Sequence, residues 1–408
     1  MRHNAEIAPP PKYTARLGDR SLFPHLAPLV FLNHAGISAP SQPVRQAVIA
    51  YLDDYAKHGS GAYPRWHAQR LRLREKLGRL VGASAADIGF VQSTTAGITA
   101  LALCHPWREG DRIVLFTGEF PANVTPWLRA AEQFRLEPVF LPLDGFLSPD
   151  GDGLARLEAE LLRGVGVVAV SAVQFQTGLR MPLAEIGALC RAHGAALAVD
   201  AVQACGAVPV DVHAAQIDYL ACGSHKWLMG LEGCGFIYIR PERLAALRLT
   251  VAGWLSHEDA VSFLFEGPDR LRYDRPIRRR TDFVEGGNVN AGGLAGLEAA
   301  LDLIVQIGVE RIHEHANAFN DVLEPALVER GFKSLRAADP SRRSATLSAL
   351  PPPDVAIPLL RAELDALGIT CATPDGALRF SPHWPNALDE AEQVVYSLDE
   401  ALTRVRSR

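Results

Sequence analysis

The chain has 408 residues, 48% hydrophobic and 21% charged, which is enough apolar material for one large domain with a smaller one. Its 41 Lys and Arg against 46 Asp and Glu give a formal net charge of −5, which argues against a protein that works by neutralising nucleic-acid phosphates. The six cysteines form no C-x-x-C pair and no Cys/His grouping with zinc spacing, so no metal site is expected and a reducing, cytoplasmic setting fits.

Residues 1–30, rich in proline and charge, read as an extended arm that lacks the apolar core of a secretory signal. The longest apolar stretch, VGVVAVSAV at 165–173, is too short to span a bilayer, so no membrane role is expected. From about 31 to 240, short apolar runs alternate with amphipathic helical segments. The runs are DRIVLF (111–116), RLEPVFLPL (135–143), GVGVVAVSAV (164–173), AALAVDA (195–201), IDYLACG (217–223) and GCGFIYI (233–239). Continuous apolar strands of this kind predict a largely parallel sheet covered on both faces. The helix LAEIGALCRAHG ends on a glycine, a common stop.

After about 245 the alternation lapses over 250–285, where RPIRRR (275–280) reads as a solvated basic loop. One long helical pattern then runs from LAGLEAAL to VLEPAL. The last 80 or so residues return to strands RSATLSAL and GALRFSP with helices AIPLLRAELDALG and ALDEAEQVVYSLDEALTRV. The expected organisation is an arm (1–30) joining a small domain, a large α/β domain (31–285) and a small α+β C-terminal domain (286–408).

Functional groups in such a sheet gather at the carboxyl ends of the strands. Asp200 ends ALAVD, and Lys226 follows the next strand in CGSHKWLMGLEGCG (222–235). A buried aspartate there needs a facing cation or donor, although a helix N-cap is an equal reading of Asp200 alone. Ser93, Thr94 and Thr95 open a helix, and a helix start is an anion site. An amine, a carboxylate and a phosphate cradle are together what pyridoxal 5′-phosphate requires. The glycines at 230, 233 and 235 lie between a lysine and a strand rather than between a strand and a helix. They are therefore read as turn glycines and not as a dinucleotide fingerprint, which removes a nicotinamide-dependent dehydrogenase from consideration.

The pair DAVQACG and GSHKWLMGLEGCGFIYI resembles the class V aminotransferase family of pyridoxal-phosphate enzymes, a group that includes cysteine desulfurases and isopenicillin N epimerase-like proteins. The similarity runs from FLNHAG (31–36) to GALRFSPHWPN (376–386). It implies fold type I, a homodimer with shared active sites and an amino-acid substrate. By position, Lys226 resembles the Schiff-base lysine, Asp200 the partner of the pyridine nitrogen and Gln203 the donor to the ring's phenolic oxygen. Thr94, Thr95, Ser224 and His225 resemble the phosphate set. Asn288, in FVEGGNVNAGG, stands where the family often has a threonine that reaches a phosphate across the dimer interface. Arg379 resembles the arginine that holds the substrate carboxylate.

Two departures bear on the reaction. Phe120, in EFPANVTPW, stands where desulfurases have a ring-stacking histidine; it stacks but moves no proton. Phe175 takes the place of the usual asparagine, with Gln174 beside it as a substitute polar group. Cys371, in CATP, resembles the start of the desulfurase loop, but only eight residues separate it from Arg379, a short span for a travelling nucleophile. The resemblance thus favours the epimerase-like branch, with a desulfurase or C–S lyase using Cys371 as the alternative. A non-catalytic cofactor-binding protein is the reading of another class. His34, Tyr63, Trp254 and His383 are further pocket candidates, His34 as a substrate contact.

Overall fold

The computed structural model describes residues 13–148 and 150–407. At its centre a seven-stranded sheet runs in the spatial order Ile88–Val91, Gly235–Ile239, Tyr219–Gly223, Ala196–Asp200, Val167–Ser171, Arg112–Phe116, Glu137–Leu141. Neighbours from Tyr219–Gly223 to Glu137–Leu141 pair in parallel, whereas Gly235–Ile239 runs antiparallel to both of its partners. The six expected runs all form strands. The edge strand Ile88–Val91 adds a seventh that is only four residues long.

The central strands are buried along their whole length because helices cover both faces. Side-chain alternation divides them between two apolar cores. Val168, Val170, Leu197 and Val199 enter one, and Val167, Ala169, Ala196 and Ala198 the other. The helix Leu183–Ala192 stops as expected, with Gly194 at φ 75° just beyond it.

The long helical pattern after residue 290 is two helices, Ala291–Ile307 and Val309–Glu329, bent by 77° at Gly308. Gly308 has φ 91°, a conformation that a glycine adopts without a steric penalty. Ala291–Ile307 packs Leu294, Leu297, Leu301 and Ile304 into the core beneath the sheet, so that core draws on chain beyond residue 285. The second helix spans two cores. Ile312 and Ala316 join the sheet's core, while Phe319, Leu323 and Leu327 join a third core formed by the C-terminal segments. Among the described residues no single helix is long and apolar enough to cross a membrane.

The C-terminal core carries a three-stranded antiparallel sheet in the order Leu378–Phe380, Leu347–Leu350, Lys333–Ser334. The helices Ile357–Ala366 and Glu390–Arg406 pack with it. Val30–Phe31 pairs in parallel with Ile369–Thr370, and Asn33 bridges to Ser381, so the chain just after the arm is stitched to the C-terminal segment. Residues 1–12 of the expected arm lie outside the described residues. In the basic loop, Arg275 pairs with Asp259, and Arg278 and Arg280 pair with Asp282. None of these residues lines the cavity described below.

Candidate active site

Asp200 is the last residue of its strand and stands opposite Ala221 of the neighbouring parallel strand, which ends at Gly223. Three residues later comes Lys226, so its side chain and Asp200 arrive at one edge of the sheet from adjacent strands. The backbone around Lys226 is clamped from several sides. Ser38 N–H donates to His225 O at 2.8 Å and Ser38 Oγ to Lys226 O at 2.7 Å. His383 Nε2 contacts Trp227 O at 2.8 Å, and Trp227 Nε1 donates to Gln203 Oε1 at 2.8 Å. Gly206 lets this segment approach, since a Cβ there would lie 2.3 Å from Trp227 O. Of the turn glycines, Gly233 alone has a positive φ, of 76°. Gly230 and Gly235 are sites of close approach, to Ser224 Cβ and Cys222 O.

The helix Thr94–Cys104 starts beside this edge. Ser93 caps it by accepting from Ala96 N–H at 3.1 Å, and Thr94 Oγ1 accepts from Gly223 N–H at 2.8 Å. The amides of Thr94 and Thr95, at the first two helical positions, have no intrahelical acceptor. Gly97 seats the helix on the sheet, where a Cβ would come within 3.1 Å of Ala221 Cβ.

These elements enclose a cavity of about 530 Å³. Thr94, Thr95, Phe120, Asp200, Gln203, His225, Lys226 and Arg379 all line it, from sequence positions 285 residues apart at the extremes (379 − 94). Lys226 Nζ sits 5.4 Å from the centroid of the Phe120 ring, which is 44% exposed. Arg379 Nη1 donates to Phe175 O at 2.7 Å, while its Nε is buried without a partner. No carboxylate among the described residues forms an ion pair with Arg379.

Burial dominates the electrostatics. It pushes Lys226 below its ordinary value, against the pull of Asp200 and with the help of Arg379. It raises Asp200 to about 6, opposed by the Val202 N–H and by Lys226. Burial and the charge of Lys226 lower His225. Arg379 is pushed down to about 10, so it keeps its charge at neutral pH.

The residues present fit pyridoxal phosphate. A helix start with two free amides and flanking hydroxyls suits a phosphate dianion. A buried carboxylate suits a protonated ring nitrogen, and an exposed aromatic face suits a stacked ring. The guanidinium of Arg379, on the cavity wall and without a carboxylate partner among the described residues, suits an anion from outside the chain.

Several expected residues lie elsewhere. Ser224 is fully buried, with its hydroxyl donating to Leu231 O and contacting Cys234 Sγ at 3.0 Å, so it does not line the cavity. Asn288 lines a separate crevice beside Phe90 and Gly233. His34 is 2% exposed and turns inward, 2.8 Å from Ser38 Oγ and edge-on to His383. Its neighbours Asn33, Ala35 and Gly36 face the cavity instead. Gln203 spends one N–H on Ala35 O at 3.1 Å and keeps a second. Gln174 turns to Glu119 at 2.9 Å, away from the cavity. Tyr63, Trp254 and His383 do not line it. Cys371 is 1% exposed in the C-terminal core, and burial pushes its thiol up to about 12.

Two residues had no signal of their own in the sequence. Asn33 is one amide in a loop. Glu119, hidden beside Phe120, is buried and accepts from Ser171 N–H at 2.7 Å and from Gln174 Nε2, with Ser171 Oγ on its other oxygen. It ties the Phe120 turn to the strand end next to Asp200 and to the Phe175 turn.

Known proteins resemble this arrangement over most of their length. A sequence model of the aminotransferase class-V family matches residues 30–377. A cysteine desulfurase of Klebsiella pneumoniae subsp. pneumoniae is 30% identical over 329 residues, 76% of this chain and 73% of that one. A probable cysteine desulfurase of Pyrococcus abyssi is 27% identical over 401 residues, 93% of this chain and 96% of that one. Among solved structures, the cysteine desulfurase CsdA from Escherichia coli superposes with a TM-score of 0.81 at 25% identity, covering 94% of this chain and 98% of that one.

Proposed function

The chain belongs to the aminotransferase class-V family, whose members are pyridoxal-phosphate-dependent enzymes, and we propose that it labilises the Cα–H bond of an amino acid in the cavity around Lys226. One observation carries the reading: Arg379, buried and without a carboxylate partner, lines the same cavity as Lys226 and Asp200. A guanidinium in that state is built to take a carboxylate from outside the chain. A protein that only stored the cofactor would have no use for it.

Lys226 Nζ would anchor the cofactor covalently, and Asp200 would hold its ring nitrogen protonated. Phe120 would stack on the ring, and Gln203 would offer its spare N–H to the phenolic oxygen. Thr94, Thr95 and His225 hold the phosphate with the helix amides. Ser224 contributes through its place in the chain, since its hydroxyl is spent. Asn288, off its own chain's cavity, suits a phosphate contact across a twofold interface, and a homodimer with shared sites follows from that role. Pyridoxal phosphate, when bound, supplies a sink for the electron pair left at Cα.

Arg379 and the amide of Asn33 hold the α-carboxylate. The Lys226 amine, kept below its ordinary pKa by burial, would accept the Cα proton. The C–H electrons stay with the substrate, and the proton returns to one face or the other. Phe120 supplies no proton, so the acid–base group that the desulfurase reading places there is missing, and a phenylalanine at this position is the resemblance that favours the epimerase-like branch. The desulfurase reading draws on the names of the relatives. It requires a mobile thiol, however, and Cys371 is held in the C-terminal core.

The test is mass spectrometry of an amino-acid pool incubated with the cofactor-loaded enzyme in heavy water. One deuterium gained at Cα of one amino acid is the expected result; loss of nitrogen or sulfur would name a transaminase or a lyase. A pool left without exchange or any other mass change would sink the proposal.

A further inference from the structure

Taken with the roles just proposed, the polar side chains that this chain places on the cavity wall are all assigned. The helix start, His225, Asp200 and Gln203 serve the cofactor, and Arg379 with Asn33 serves the carboxylate. What remains on the wall is apolar, and its larger side chains are Ile37, Val202, Phe175 and Pro374, with Ala122 beside the Phe120 ring. Phe175 meets Phe120 edge-on, with centroids 5.3 Å apart and planes at 75°. The carbonyl of Phe175 is also the group that positions Arg379. The ring is therefore fixed next to the place where the carboxylate, and hence the first carbons of the side chain, would lie.

We propose that the substrate is an α-amino acid with a branched or aromatic apolar side chain, packed against Phe175 and the wall of Ile37, Ala122 and Pro374, and that Phe175 sets this preference. The inference rests on the amino-acid reading above and narrows it. A charged or hydroxylated side chain laid on this wall would lose part of its water and find no polar side chain of the same chain to replace it, which is unfavourable. An apolar side chain loses nothing and gains contact area. Ile37, 52% exposed at the rim, leaves room for a longer side chain to extend outward. Cysteine gains no special partner, because all six cysteines are buried and none lines the cavity.

The test is calorimetric titration of the cofactor-loaded Lys226→Ala variant, which binds without turnover, with glycine, alanine, leucine, phenylalanine, cysteine, serine, aspartate and lysine. Protection of the wild-type protein against thermal unfolding by the same panel gives a second readout if that variant folds poorly. Leucine or phenylalanine is expected to bind about tenfold or more tighter than alanine, with serine, aspartate and lysine weaker than alanine. The Phe175→Ala variant keeps the carbonyl that holds Arg379 and should bring the leucine-to-alanine ratio towards one. Tighter binding of aspartate, lysine, serine or cysteine than of leucine and phenylalanine would overturn the side-chain inference and leave the amino-acid reading standing. Binding of no amino acid by a protein that still holds its cofactor would overturn both.

Discussion

Arg379 and Phe175 are joined by a 2.7 Å hydrogen bond from the guanidinium to a main-chain carbonyl, across 204 residues of sequence. The bond sets the reach of the arginine without neutralising it, since a carbonyl carries no full charge. Arg379→Ala should therefore leave the fold intact while weakening amino-acid binding by about 2–5 kcal/mol, thirtyfold or more. Arg379→Lys should recover little, because an ammonium cannot present two parallel donors. Titration of both variants with the preferred amino acid checks this, and full rescue by lysine would refute the bidentate role.

Lys226 and Asp200 divide the chemistry between them. Lys226→Ala should lower turnover by about a thousandfold or more, and borohydride should no longer fix the cofactor to the chain. Asp200→Asn should retain the cofactor but lose the charge that keeps the ring nitrogen protonated, so turnover falls while binding persists. Retained turnover in the Lys226 variant would end the assignment.

Cys371 separates the proposed reaction from desulfuration. Cys371→Ala should leave turnover within about twofold and cost about 1 kcal/mol of stability from the lost volume in a packed core. Sulfide release from cysteine that disappears in this variant would instead assign Cys371 as a nucleophile.

Glu119 gives a pH signature. Burial raises its carboxyl from the ordinary 4.5 to about 7, against the hydrogen bonds from Ser171 and Gln174 and with some help from Asp200. The folded chain thus binds a proton that the unfolded chain releases between those values. Its stabilising contribution is complete below pH 4.5 and is lost as pH rises through 7. Glu119→Gln cannot ionise, so its stability advantage over the wild type should grow from pH 5 to pH 8, to on the order of 3 kcal/mol. Thermal melts of the cofactor-free proteins at several pH values measure the gap. A gap that stays constant with pH would contradict a raised Glu119.

Much of this was legible because the signals were local. Apolar runs such as VVAVS mark strands, and residues at the ends of successive parallel strands must share an edge, which brings Asp200 and Lys226 together. What was not legible depended on distant partners. Nothing in GFIYI says that Gly235–Ile239 enters the sheet antiparallel, and IGFV is too short to stand out from its surroundings. The helical period runs unbroken across Gly308, so the 77° bend is invisible until the two cores on either side claim different faces. In FLNHAG the resemblance draws attention to His34, yet a loop has no fixed alternation, and here it is Asn33 that reaches the cavity wall. Ser224 shares the motif of Lys226, but its hydroxyl satisfies a buried carbonyl, a demand that only the folded chain creates.

The burial of all six thiols gives the molecule a built-in clock. Cys371 belongs to the C-terminal core, Cys190, Cys205, Cys222 and Cys234 to the core beneath the sheet, and Cys104 to the core on the sheet's other face. A thiol-reactive dye in excess reaches each only when its own core opens. The order in which the positions become labelled therefore tells which half of the molecule loosens first, without any engineered probe.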